Sequence, residues 1–235
     1  MANRPYFISI TNSNIVYKKE TCEFKFFTGF AITQKQKSIN SLHQEILKRH
    51  PGAKILEVSR KSEDEIGTRL SAFNLKLKSK KDGKLYPIEN IFQSSKVFET
   101  GGAYKDLLYC SPKDAKRDER LKQSGRLIAF NFENKDWPLE PKTFFYDHIY
   151  MRALLENEYL INQIVQYDTF TDIEFNPEKS FACQARSVAI FVSLYRAKLI
   201  YDYIHDIELF KTLYNAEQIA IQEQLLLTKN FNDSY

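Results

Sequence analysis

The sequence predicts a mainly helical α+β protein folded as a single domain, and three observations carry that prediction. Short runs rich in aromatic and β-branched residues are concentrated before residue 60. Beyond residue 140, apolar residues recur at three- and four-residue steps along most of the chain. Finally, 235 residues with 43% hydrophobic content suffice for one sizeable core, and no Gly/Ser linker, internal repeat or compositional shift marks a second domain.

Taken in order, "PYFISI", "IVYKK" and "CEFKFF" read as three short strands, with "TNSN" as a turn. A helix follows in "QKQKSINSLHQEILKRHPG", where Ile39, Leu42, Ile46 and Leu47 keep helical spacing until Pro51 and Gly52 stop it. "KILEVSR" reads as a strand and "SEDEIG" as a short acidic segment. "LSAFNLKLKSKKDGKLYP" alternates around an Asp-Gly turn, as a hairpin does. Residues 86–98 then read as a helix. "SPKDAKRDERLKQSG" is a second, with Ser111 as N-cap, Pro112 behind it and Gly125 at its end. "RLIAFNF" is a strand. Long helices dominate from residue 140, interrupted by "DTFTDIEFNPEKS", and the tail "KNFNDSY" is expected to fray.

Composition narrows the function classes. A net charge of +4 assists binding to a polyanion without demanding it. Cys22, Cys110 and Cys183 are odd in number and form no CxxC pair, which suits a reducing cytoplasm and neither a disulfide framework nor a zinc site. No apolar stretch approaches a membrane span, and the start lacks the pattern of an export signal, so a cytoplasmic protein is expected. The four histidines stand at no metal-ligand spacing, and GxGxxG, P-loop and nucleophile-elbow motifs are missing. No metal or cofactor is expected.

Three constellations bear chemistry. In "YPIENIFQSSKVF", read as a helix, Ile88, Ile91, Phe92 and Phe98 share one side, while Glu89, Gln93 and Lys96 fall in a narrow neighbouring sector. That stripe fits either polar groups lining a cleft beside the core or a solvent-facing salt bridge worth roughly a few tenths of a kcal/mol. In "TDIEFNPEKS", Asp172 and Glu174 share a face if the segment is extended, as acid–base groups, sugar ligands, a solvated strand edge or a cap for the next helix. In "SPKDAKRDERLKQSGR", Lys113, Lys116, Arg117, Arg120, Lys122 and Arg126 are mixed with Asp114, Asp118 and Glu119, a pattern closer to an exposed salt-bridged helix than to a phosphate clamp.

Together, "LSAFN", "YPIENIFQSSKVF", "AKRDERLKQSGR", Trp137, "FFYDHIYMRALLEN" and "YDTFTDIEFNP" resemble, in order and spacing, the NADAR family of YbiA-like N-glycosidases. The start "RPYFI", with "LEVSRKSEDEIGTRLSAFNL" and "WPLEPKTFFYDHIY", is similar to the subgroup that serves as DarG antitoxin beside DarT-type DNA-modifying toxins. Two features depart from the family pattern: Asn90 replaces a histidine after Glu89, and "EFNPEK" replaces a segment ending in Trp-Gly. The resemblance implies a NADAR core over 65–200, a subgroup-specific N-terminal β/α part over 1–60, and a C-terminal helix and tail over 201–235.

It further implies an N-glycosidic-bond hydrolase that removes ADP-ribose from the guanine amino group in DNA, single-stranded or flipped, with ADP-ribose as product and a DarT-type toxin as a possible partner. Lys96 is then the covalent or proton-donating group and Glu89 the base and orienting partner. Asp172 or Glu174 would hold ribose hydroxyls, Arg120 or Arg126 the pyrophosphate, and Trp137 and Phe73 are candidates to stack on a base. Ser71, Asn74 and Gln93 complete the implied substrate-binding set. Lys35, Lys37, Lys48 and Arg49 on the early helix are candidates to hold the DNA backbone, or serve as a solubilising face. Direct binding to the toxin, and hydrolysis of a small ribosyl-amine phosphate, are the alternative functions. A nucleophilic lysine needs a lowered pKa, which desolvation favours and a neighbouring carboxylate opposes; the sequence leaves that contest open.

Overall fold

A computed structural model describes residues 1–11, 16–178 and 180–214. Strands β1 (Ala2–Ser9) and β2 (Tyr17–Phe24) pair antiparallel along their whole length. β2 fuses most of two runs that read separately in the sequence, because Glu20 between them is compensated: Tyr6 donates its hydroxyl to the carboxylate and His50 lies 2.9 Å from it. Helix α1 (Ile32–Arg49) lays Ile39, Leu42 and Ile46 on Tyr6, Cys22, Phe24 and Ile173, a satellite core on one face of the sheet. Pro51 and Gly52 end it, the glycine at φ +86°.

Strand β3 (Ile55–Glu57) leads to α2 (Glu65–Arg69), a helix within the acidic segment, where Asp64 accepts the Ile66 N–H at 2.8 Å as N-cap. The hairpin β4 (Lys76–Lys78) and β5 (Leu85–Pro87) turns at Asp82-Gly83 as expected. The expected helix over 86–98 is shorter. α3 (Ile88–Ser94) stops because Ser94 and Ser95 fold their hydroxyls back onto the Ile91 carbonyl, at 3.1 and 2.7 Å. Lys96 therefore opens a strand, β6 (Lys96–Phe98), followed by β7 (Gly101–Gly102).

The expected helix over "SPKDAKRDERLKQSG" breaks into α4 (Pro112–Arg117) and α5 (Arg120–Gln123) at Asp118, whose carboxylate accepts the Arg120 N–H at 2.9 Å. Ser111 caps α4 as predicted. Strands β8 (Leu127–Phe132) and β9 (Lys135–Trp137) follow, then α6 (Phe144–Leu155) and α7 (Glu158–Ile164). β10 (Thr169–Thr171) precedes α8 (Gln184–Arg196) and α9 (Ile200–His205), and residues 207–214 are again helical. The rest of the expected closing helix, the tail "KNFNDSY" and most of the "TNSN" turn lie outside the described residues.

Among the described residues three sheets result, ordered β2-β1-β10-β3, β4-β5 and β7-β6-β8-β9. The N-terminal strands and residues 169–171 thus share one sheet, antiparallel at β1–β10 and parallel at β10–β3. The main core runs through α3, α6 and α8. Two buried helices need polar anchors to fix their register, and Asp147 of α6 supplies one. It pairs with Arg186 and accepts from Ser187 at 2.6 Å, Thr143 at 2.8 Å and Tyr214 at 2.7 Å.

One close approach is unforgiving. A Cβ on Gly67 would meet the Glu57 carbonyl oxygen at 1.9 Å and the Ser62 hydroxyl at 2.4 Å. Gly67→Ala is expected to destabilise the protein by about 1–3 kcal/mol, since backbone must move to make room; an unchanged denaturant midpoint would contradict this packing.

Candidate functional site

The segment "LSAFN" and α3 build the site together. Pro87 leaves the first α3 amides without a side-chain cap, and backbone replaces it: Ile88 N–H donates to the Leu75 carbonyl and Glu89 N–H to Ala72, both at 2.9 Å. The same segment is held from behind. Tyr150 donates to the Leu70 carbonyl, and Gln184 accepts from Ala72 N–H at 2.9 Å while donating to the Val58 carbonyl. These bonds place Phe73 beside Glu89.

Glu89 is 6% exposed, yet its carboxylate is compensated twice. Gln93 donates to one oxygen at 2.8 Å, and the Lys116 ammonium lies 3.5 Å from the other. The carboxamide oxygen of Gln93 is buried without a hydrogen-bond partner among the described residues, an acceptor pointing to a missing donor. Lys96 reaches the same cluster from β6, where it faces Phe130 in the ladder. Its ammonium lies 4.8 Å from the centre of the Phe92 ring. Burial lowers its pKa to about 8, against the opposing pull of Glu89 and with help from Lys116. Desolvation wins the contest.

Beyond Lys96 opens a cleft of about 320 Å³, walled by Phe92, Phe130, Phe145 and Tyr146 and by the Pro138–Thr143 and Ser180–Ala182 segments. In the aromatic floor Phe130 and Phe145 stack with ring centres 4.7 Å apart, and Phe92 meets Tyr146 edge to face at 5.2 Å. The Tyr146 phenol is pushed well above its ordinary pKa by burial, then by Tyr150 and the charges of Glu89 and Asp172, so it stays a hydrogen-bond donor. At the mouth, Phe181 is exposed and covered by Lys142 at 4.2 Å.

The structure brings Glu89, Gln93, Lys96 and Phe73 together and disposes of other candidates differently. Phe73 lies under two cations, Arg60 at 4.0 Å and Lys116 at 5.3 Å. Trp137 is core: buried against Phe144, Phe145 and His148, it has no face to offer a base. Arg120 is committed to Asp106 and Asp118 and lies over Tyr104, while Arg126 is exposed and pairs with Glu99 at 3.2 Å. Neither guanidinium is a free anion clamp. Asn74 is exposed and donates to the Thr68 carbonyl at 2.9 Å, a turn bond, and Ser71 is buried.

Asp172 and Glu174 do not share a strand face, because β10 ends at Thr171 and Asp172 closes a turn by accepting the Glu174 and Phe175 amides at 3.0 and 3.1 Å. Buried Asp172 instead neighbours buried Glu57 of β3, and its pKa is driven well above the usual carboxylate range by burial and that neighbour. Glu174 turns outward, 3.9 Å from Arg60. Lys48 and Arg49 are engaged at the far end of α1, with Glu45 at 2.7 Å and the Thr21 carbonyl at 2.8 Å. Sequence reasoning missed Lys116 as the partner of Glu89, Tyr146, and Arg60. Lys116 was visible only as one charge in a mixed run; no local signal marks the other two.

A family model described as DarT1-associated NADAR antitoxin matches residues 2–224. No curated protein matches the chain significantly.

The two charges flanking Lys96 make a prediction that needs no substrate. Competitive labelling with a small amine reagent, read by peptide mass spectrometry, is expected to titrate Lys96 with a midpoint at about 8. Lys116→Gln moves the midpoint up, by removing a cation and freeing Glu89 to pair with Lys96; Glu89→Gln moves it down. Shifts in the same direction, or a midpoint at the ordinary lysine value, would contradict this electrostatic arrangement.

Proposed function

We propose, from the premise that this chain belongs to the DarT1-associated NADAR antitoxin family, that it is an enzymatic antitoxin that removes ADP-ribose from the guanine amino group of DNA. The observation that carries the reading is the Lys96 amine, brought to about 8 where it lines an aromatic cleft and beside the buried Glu89 carboxylate. At pH 7 roughly a tenth of such an amine is free base, against well under a hundredth for an ordinary lysine.

In the proposed reaction the neutral Lys96 amine attacks the anomeric carbon of the distal ribose. The bond from that carbon to the guanine nitrogen breaks as the bond to Nζ forms. The proton lost by Lys96 passes through the Glu89 carboxylate to the departing amino group, so the base leaves as neutral guanine. Water then hydrolyses the lysine adduct, which reaches an imine when the sugar ring opens, and free ADP-ribose departs as the amine is regenerated. Lys116 holds Glu89 in place and opposes protonation of Lys96. The unmet Gln93 oxygen accepts a ribose hydroxyl, the Tyr146 hydroxyl donates to a sugar or base oxygen, and Phe73 stacks against a base. Among the described residues no group of three or more His, Cys, Asp or Glu is arranged to hold a metal ion, and the proposed steps use side chains alone.

Incubation with an oligonucleotide carrying ADP-ribosyl guanine, followed by mass spectrometry, tests the reading. Unmodified strand and free ADP-ribose are expected, with turnover persisting in excess chelator. Lys96→Met and Glu89→Gln each lower the rate by about two orders of magnitude or more while circular dichroism stays native. Borohydride added during turnover should leave ADP-ribose on Lys96. Because attack needs the free amine, kcat/KM should rise with pH toward a plateau above about 8; a fall over that range would make Lys96 the proton donor. Toxin neutralisation that survives loss of both residues would favour an antitoxin acting by direct binding.

A further inference from the structure

The registers of the first sheet determine which segments leave at the same edge. Tyr6, Thr171 and Glu57 lie in one row across β1, β10 and β3, and Ala2 faces Phe24 across β1 and β2. The start of β1 therefore shares an edge with the ends of β2, β3 and β10. From that edge β3 runs on to Arg60 and β10 to Glu174. Arg60 lies 3.9 Å from Glu174 and covers Phe73, which Lys116 covers in turn while reaching Glu89. A continuous line of contacts thus joins this edge to the Lys96 cluster.

At the β2 corner the same edge changes character. Residues 25–44 hold three lysines and three phenylalanines and no carboxylate. Phe30 is fully exposed. Lys35 lies over Phe26 at 4.8 Å with Arg4 at 5.9 Å, and Lys25 lies over Phe27 at 5.1 Å. The first turn of α1 carries no acidic residue, and exposed Glu23 stands only at the border, on β2. Glu63, bonded to Asn40 of α1, and Glu178, which shares a pocket with Arg4, border the group, but among the described residues no salt bridge engages Lys25 or Lys35. Cations interleaved with rings, one ring fully exposed, suit a ligand that offers phosphates and unpaired base faces together. Duplex DNA offers the phosphates and hides the faces.

We infer that the edge carrying Arg4, Lys25, Phe30 and Lys35 is a docking ledge for single-stranded DNA, which crosses the sheet edge toward Phe73 and the Lys96 cleft. Three strand spacings, about 14 Å, separate β2 from β3, so the ledge holds nucleotides flanking the one in the cleft. Lys25 and Lys35 pair with phosphates, and Phe30 takes a base on its face. The inference rests on the proposed glycohydrolase reading only for the strand's destination.

Fluorescence anisotropy with an unmodified single-stranded oligonucleotide of about 12 nucleotides tests the ledge without requiring catalysis. Lys25→Gln/Lys35→Gln is expected to make the slope of log affinity against log salt shallower by about 1.4, the loss of two phosphate contacts to a single strand. Phe30→Ala should weaken binding about fivefold or more, the loss of one stacked base, while Lys48→Gln at the other end of α1 changes nothing. The same ledge variants should lower kcat/KM for ADP-ribosylated oligonucleotide and leave hydrolysis of ADP-ribosyl guanosine at the wild-type rate. Wild-type affinity and salt slope in the ledge variants would overturn the ledge, whether or not the mononucleoside is cleaved. So would duplex binding as tight as single-strand binding, or variants that lose a protein partner but keep the oligonucleotide. Strand binding that depends on the ledge in a protein that cleaves neither substrate would keep the ledge and remove the glycohydrolase reading.

Discussion

A carboxylate withdrawn from water has to be compensated on every side it presents, and the Glu89 carboxylate imposes that condition on this fold. Its partners come from different elements. Gln93 lies one turn along the same helix, Lys116 comes from α4, and Lys96 acts from the first position of β6. Satisfying Glu89 therefore fixes α3, α4 and β6 relative to one another. The "LSAFN" segment completes the arrangement by taking up the first amides of α3 with its own carbonyls.

The same compensation determines the state of Lys96. A carboxylate paired only with Lys96 would hold that amine protonated. Here Lys116 takes up much of the Glu89 charge, while the stacked floor of Phe92, Phe130 and Phe145 keeps water from solvating the ammonium. The result is an amine lowered to about 8 although a carboxylate stands beside it. Two further buried acids, Glu57 and Asp172, neighbour one another; burial raises the pKa of both, and Asp172 also helps raise that of the Tyr146 phenol. The site thus combines a compensated carboxylate and an amine of lowered pKa with a phenol and two acids whose pKa values are raised.

The scaffold keeps these groups in place from behind. The Asp147–Arg186 pair is taken from water at the α6–α8 contact and is surrounded by hydroxyl donors from Thr143, Ser187 and Tyr214. Removing either partner of such a pair would leave a buried charge uncompensated. From those helices Phe145 and Tyr146 form the cleft floor, and Gln184 grips the "LSAFN" segment. The segments that leave β3 and β10 at one end of the first sheet then bring Arg60 and Glu174 to Phe73, beside the cluster.

By itself the sequence determined the mixed fold class, the α1 periodicity, the Asp-Gly hairpin, the Ser111 cap and the grouping of Glu89, Gln93 and Lys96, because each is written in neighbours a few residues apart. It misplaced Lys96 on a helix, since the two serines that end α3 read as neutral helix positions until their hydroxyls turn back onto Ile91. It also offered Trp137, Arg120 and Arg126 as ligands. Whether an indole is bare or buried, and whether a guanidinium is free or taken, depends on groups distant in the chain or across a turn: Phe144 and His148 for the first, Asp106 and Glu99 for the others. Only the tertiary structure decided that Asp172 neighbours Glu57, that Lys116 serves Glu89, and that the lysine of the stripe is desolvated. Charge state follows burial and partners in space, and those are set by packing across the whole chain.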